Sequence, residues 1–86
     1  MLEDQGDDIV AVGRRLARIR EIVGLNQKDF ALKAGIKPQV YGPVELGKRA
    51  LTLDNAKRLR RTYDLSLEFM YFGKIDALPH RIATAL

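Results

Sequence analysis

Residues 24–49, GLNQKDFALKAGIKPQVYGPVELGKR, decide the fold. The stretch opens with a helix-start signal in three parts. Asn26 is a good N-cap, because its side-chain oxygen can accept a backbone N–H that the first turn leaves without a partner. Asp29 falls at the third helical position. Leu25, before the cap, can pack on Phe30 at the fourth position, a hydrophobic staple. The spacing predicts a helix from about Gln27 to Ala34 that stops at Gly35, whose missing Cβ lets the turn take a positive φ. Pro38 opens the next helix, since proline suits the first helical turn, and Gly47 ends it. Both helices are too short to persist alone, so packing must hold them.

The flanking sequence is helical too. Ile9, Val12, Leu16, Ile19 and Val23 recur at steps of three and four, one face of a helix. Asp7 or Asp8 can cap its start, and Gly24 its end. Downstream, Thr52 caps a helix with Leu53, Ala56 and Leu59 at helical spacing, ending near Asp64. Ser66 caps another, from Leu67 to about Phe72, closed by Gly73. Residues 74–77 read as a loop, and Pro79 can open a last short helix with Leu78, Ile82 and Leu86 on one face. No segment alternates as a strand does, and nothing repeats. The pattern predicts an all-α fold, a compact bundle of five short helices, or six counting the last. Residues 1–8 read as an acidic N-terminal segment, 9–73 as the domain and 74–86 as a C-terminal tail.

Composition narrows the chemistry. The 86 residues include no cysteine and one histidine, His80, so neither a disulfide nor a zinc site is expected. The net charge of +4 is unevenly spread. Glu3, Asp4, Asp7 and Asp8 lie in the first eight residues. Residues 13–49 hold nine bases (14, 15, 18, 20, 28, 33, 37, 48, 49) against three acids (21, 29, 45), a net of +6. A basic surplus concentrated on so small a domain points to a polyanionic partner, most often nucleic acid. The apolar runs at 9–13 and 69–73 fall far short of the ~20 residues a bilayer span needs. No basic-then-apolar leader opens the sequence. A cytoplasmic, nucleoid-associated protein with no membrane partner is expected. Carboxylates are scattered, and the few hydroxyls include Thr52 and Ser66, already used as caps. Neither a catalytic residue nor a cofactor is expected, and the chain does not read as an enzyme.

A short helix, a glycine-containing turn and a second short helix make the helix-turn-helix motif, whose second helix enters the major groove. Ala31 supplies the small residue where the helices cross. Phe30, Ala34, Ile36, Tyr41 and Val44 supply the apolar plug. The motif sits in a longer ordered set: Leu16, Ile19-Arg20, Gly24-Leu25-Asn26-Gln27, Ala31, Gly35-Ile36, Glu45, Gly47-Lys48-Arg49, and Leu65-Ser66-Leu67-Glu68-Phe69 with Gly73. That set resembles the phage repressor/Cro-like helix-turn-helix regulators over roughly residues 13–73. Residues 78–83, LPHRIA, look like the ending of some small bacterial regulators of this family. The resemblance implies a lambda-repressor-like bundle with the motif at helices 2 and 3. It also implies sequence-specific binding of double-stranded DNA by a small transcriptional regulator. Homodimers of this kind read half-sites about 34 Å apart.

The resemblance also implies roles for single residues. Gln27 stands where the family places an amide against a DNA phosphate, with Asn26 and Lys28 beside it. Lys48 and Arg49 follow the recognition helix, where the family holds the DNA backbone. Arg20 and Glu45 stand where the family often forms a partly buried ion pair that braces that helix. Base reading falls to the exposed face near its start, Lys37, Pro38, Gln39, Gly42 and Pro43. Of these, Gln39 suits a bidentate pair with adenine N6 and N7.

Gly42 and Pro43 depart from the family, which has hydrogen-bonding side chains there. An interior proline removes the bond to the carbonyl near Gln39 and costs ~3 kcal/mol, so a kinked or shortened recognition helix is expected. Readout then leans on Gln39, thymine methyls and DNA shape. The same departure sustains a second reading. It is a protein-interaction module, or an antitoxin-type partner, binding another protein through the tail and the surplus apolar surface of the Phe69, Met70, Tyr71 and Phe72 cluster, most of which reads as core. That surface and the tail are also the candidate homodimer face. Arg14, Arg15 and Arg18, and Arg58, Arg60 and Arg61, read as solvated helix faces. Tyr41 and Tyr63 read as core.

Overall fold

Local signals set the helix starts. In a computed structural model describing residues 8–76 and 78–86, four helices begin on a side chain that accepts a backbone N–H. Asp8 accepts from Ala11 at 2.9 Å, Asn26 from Asp29 at 2.8 Å, Thr52 from Asn55 at 3.2 Å and Ser66 from Phe69 at 3.0 Å. Among the described residues there are six helices and no strand: α1 (Ile9–Val23), α2 (Gln27–Lys33), α3 (Pro38–Glu45), α4 (Leu53–Tyr63), α5 (Leu67–Phe72) and α6 (His80–Ala85). Glu3, Asp4 and Asp7 of the acidic segment, and Ala77 of the 74–77 loop, lie outside the described residues. Gly24 and Gly73 take left-handed backbone at the ends of α1 and α5, as does Asp64 at the end of α4. Gly35, at φ 77°, makes the turn between α2 and α3.

The core runs through the whole bundle. Leu16 and Ile19 of α1, Phe30 and Ala31 of α2, Tyr41 and Val44 of α3, Ala56 and Leu59 of α4, and Phe69 and Met70 of α5 are buried together. Leu78 and Ile82 join them, which docks α6 on α1. Phe30 stacks on Tyr63 with ring centroids 4.2 Å apart and planes 3° from parallel. The Tyr63 hydroxyl donates to the Phe30 carbonyl at 2.7 Å, so α4 holds α2 by both packing and a buried hydrogen bond. Tyr71 of α5 donates to the Leu51 carbonyl at 2.8 Å and fixes the α3–α4 connection.

The tightest crossing joins α1 to α3. A Cβ built on Gly13 would sit 2.5 Å from the Glu45 carbonyl oxygen and 2.6 Å from that of Val44. Only glycine lets the two backbones meet there. The sequence signal for close crossing had pointed to Ala31, which is fully buried. Gly13 carries the closer approach.

Two expectations are corrected. Arg15 does not belong to a solvated face: it is 1% exposed, and its Nη1 donates to the Met70 carbonyl at 3.1 Å. The reason is positional. Residue 15 lies three after Val12 and four before Ile19, on the inward face of α1, and its long stem crosses the core to the end of α5. Arg18 fits the expectation better, being exposed, with an ion pair to Glu21 at 3.6 Å. The second correction concerns Pro43. It does not end α3, which continues through it to Glu45. Pro43 forfeits one N–H, but its partner carbonyl belongs to exposed Gln39, where solvent substitutes. Beyond it, Leu46 donates to Gly42 at 3.1 Å and Lys48 to Pro43 at 2.9 Å, so the last turn keeps its bonds.

Candidate nucleic-acid interface

α3 has two faces of different chemistry. It buries Tyr41, Val44 and Glu45. At 3.6 residues per turn, Gln39, Pro43 and Leu46 then fall on the opposite side, Gly42 at its edge, and Pro38 at the helix start near the side of Glu45. Gln39 and Leu46 are exposed, and Pro38, Gly42 and Pro43 are half-buried. Lys37 is exposed at the N-cap of α3, and Lys48 and Arg49 are exposed just past its end. Lys28, at the start of α2, is exposed as well. None of these four cations makes an ion pair among the described residues.

Beneath α3 lies a charged cluster. Arg20 Nε donates to both Glu45 carboxylate oxygens, at 3.1 and 3.0 Å, and Nη2 approaches Oε1 at 2.9 Å. Arg20 Nη1 also donates to the Leu25 carbonyl at 3.0 Å, so a single guanidinium ties α1 to the entry of α2 and to the end of α3. The hydrogen-bonded Glu45 carboxylate raises the Arg20 pKa. Gln27 Nε2 donates to Glu45 Oε1 at 3.0 Å. The Tyr41 hydroxyl is buried beside this cluster and has no hydrogen-bond partner of ordinary geometry among the described residues. Burial first, and the Glu45 carboxylate second, push its pKa far above the ordinary phenol value.

Of the residues singled out in the sequence, Arg20 and Glu45 are brought together, and Gln27 joins them. Gln27 Oε1 lies 3.5 Å from where a Cβ on Gly42 would stand, an ordinary van der Waals contact. Asn26 spends its side-chain oxygen on the cap. Lys28, Lys37, Pro38, Gln39, Gly42, Lys48 and Arg49 surround the outer side of α3. Sequence reasoning did not single out Leu46, which lies on this side and is 63% exposed. A spacing of three from Pro43 and four from Gly42 was the signal that could have found it.

This arrangement has a counterpart among known proteins. Residues 16–70 match the model of a helix-turn-helix family, HTH_3. The chain belongs to that family. No curated protein matches the sequence. Among solved structures, this helix-turn-helix protein is similar to the restriction-modification controller protein C.AhdI from Aeromonas hydrophila, with a TM-score of 0.66 and 32% identity. The match covers 76% of this chain and 93% of that one. The protein is therefore a sequence-specific DNA-binding regulator of the phage repressor/Cro-like type, with its helix-turn-helix at α2 and α3.

Proposed function

We propose that this helix-turn-helix regulator binds duplex DNA as a homodimer, each subunit laying α3 in a major groove. One observation carries the reading: the outer stripe of α3 is uncovered, and exposed cations without ion-pair partners flank it at both ends. In this reading Lys28, Lys48 and Arg49 neutralise phosphates on either side of the groove. Asn26 and Gln27 set the edge of α2 against the backbone. Lys37, Pro38, Gln39 and Gly42 face the bases, with Gln39 on an adenine. The Arg20–Glu45 pair holds α3 at its angle to α1. Phe72 and Ile75, 49% and 42% exposed beside α5, are the apolar surface for the second subunit. The likeness to a restriction-modification controller supports a controlling role in transcription. Among the described residues no helix is long and apolar enough to cross a membrane. In this reading the protein acts in the cytoplasm with the nucleoid, by binding rather than catalysis.

Selection from random duplexes followed by sequencing tests the proposal. The expected product is a palindrome with half-site centres about 10–10.5 base pairs apart, one helical turn. Failure to enrich any motif, with no duplex bound at low salt, would overturn it and favour the protein-interaction reading.

A further inference from the structure

We infer that the outer stripe of α3 reads C5-methyl groups in the major groove, and that Leu46 is a specificity-determining residue of the site. The inference rests on the docking of α3 proposed above. Of the four stripe residues, Gln39, Gly42, Pro43 and Leu46, only Gln39 carries a hydrogen-bonding side chain. Pro43 and Leu46 are apolar, and Gly42 offers backbone alone. Leu46 is the most exposed of the large hydrophobic residues among those described. It ends the helix with ordinary backbone, φ −78° and ψ −2°, so no turn geometry demands a leucine there.

The major groove presents one apolar group, the methyl on C5 of thymine; 5-methylcytosine places the same methyl at the equivalent position. Apart from the small C5–H of cytosine, the base-edge features there are donors and acceptors, which a proline ring or a leucine would desolvate without replacing. Guanine is most often read by Arg or Lys. Among the described residues Lys37, at the N-cap, is the one cation placed to reach a guanine at that end; none lies on the stripe from Gln39 to Leu46, since Lys48 and Arg49 follow it. Gln39 on an adenine also fixes a thymine across the pair. The stretch from Gln39 to Leu46 therefore fits A·T pairs whose thymine methyls lie under Pro43 and Leu46.

The experiment uses the full chain and its best duplex from selection. Deoxyuridine in place of thymidine removes only the methyl. Binding is expected to weaken about fourfold for each methyl that is read, the equivalent of one buried CH₂. Exchanging such a T·A pair for 5-methylcytosine·G is expected to cost less than exchanging it for cytosine·G. Leu46→Ala is expected to shrink the deoxyuridine penalty, and Lys48→Ala to weaken both duplexes equally and leave their ratio unchanged. Leu46 is exposed, and circular dichroism checks that its variant folds. Equal binding of the thymidine and deoxyuridine duplexes overturns the methyl reading while leaving α3 docking intact. Absence of binding to every duplex overturns both.

Discussion

Glu45 keeps a carboxylate under the reading helix because Arg20 and Gln27 both donate to it. Truncation to Glu45→Ala leaves the Arg20 guanidinium facing α3 without its partner. Losing one member of a fully buried pair costs ~3–5 kcal/mol; Arg20 retains 21% exposure, so a loss of about 2–3 kcal/mol is expected. Urea denaturation of the variant measures it, and unchanged stability would remove the bracing role. Tyr41 makes the opposite prediction. Its hydroxyl is buried with no hydrogen-bond partner of ordinary geometry among the described residues, so Tyr41→Phe should be neutral or stabilising near pH 7. Below pH ~10 the phenol is protonated in both folded and unfolded chains and stability does not depend on it. Above that the unfolded chain releases the proton while the folded one retains it, because the folded pKa is raised. Stability should then fall by about 1.4 kcal/mol per pH unit through this group. Melting curves between pH 8 and 11.5 should show a shallower alkaline decline for Tyr41→Phe than for wild type. The Arg20–Glu45 contact was legible in the sequence through the family resemblance. The inward turn of Gln27 was not, because an amide at a helix start reaches a phosphate and a neighbouring carboxylate equally well, and only the placement of Glu45 decides.

At the scale of elements, caps and glycines made the helices readable. Asn26, Thr52 and Ser66 start α2, α4 and α5 where their chemistry indicates. Only the last turn of α2 falls one residue short of expectation, with Ala34 as its cap. What the sequence did not reveal are contacts between elements. A charged residue such as Arg15 reads as solvated unless its place on the apolar face is weighed above its charge. A glycine inside a helix carries no mark of what crosses it. Gly13 offers the sharpest test. In an unencumbered helix, alanine in place of glycine adds about 0.5–1 kcal/mol of stability. Here the new methyl would overlap the Val44 and Glu45 carbonyls, backbone atoms that cannot step aside, so α1 and α3 must separate. Gly13→Ala is expected to destabilise by about 1–3 kcal/mol, as overpacking does. It should also weaken DNA binding, since α3 tilts with the displaced crossing. A more stable Gly13→Ala protein in a thermal melt would show that the helices do not approach this closely.

For the whole molecule, the distribution of charge outweighs its sum. The net +4 of the chain understates the basic region from 13 to 49, and within that region Arg15 and Arg20 are engaged inside the fold. The cations left for DNA are few enough to count. If Lys48 and Arg49 each neutralise one phosphate, the log–log slope of affinity against salt should become shallower by about 0.9 for each when replaced by alanine. Equilibrium binding between 50 and 300 mM salt reads this directly, and an unchanged slope in both variants would take the two residues off the backbone. The placement of α3 carries a consequence for how such a protein changes over generations. The residues that hold the helix, Tyr41, Val44 and Glu45, and those that face outward, Gln39, Gly42, Pro43 and Leu46, are disjoint sets on one eight-residue helix and its cap. Mutations in the second set can redirect the protein to a new target without unsettling the first, so this scaffold can drift in preference while its fold stays put.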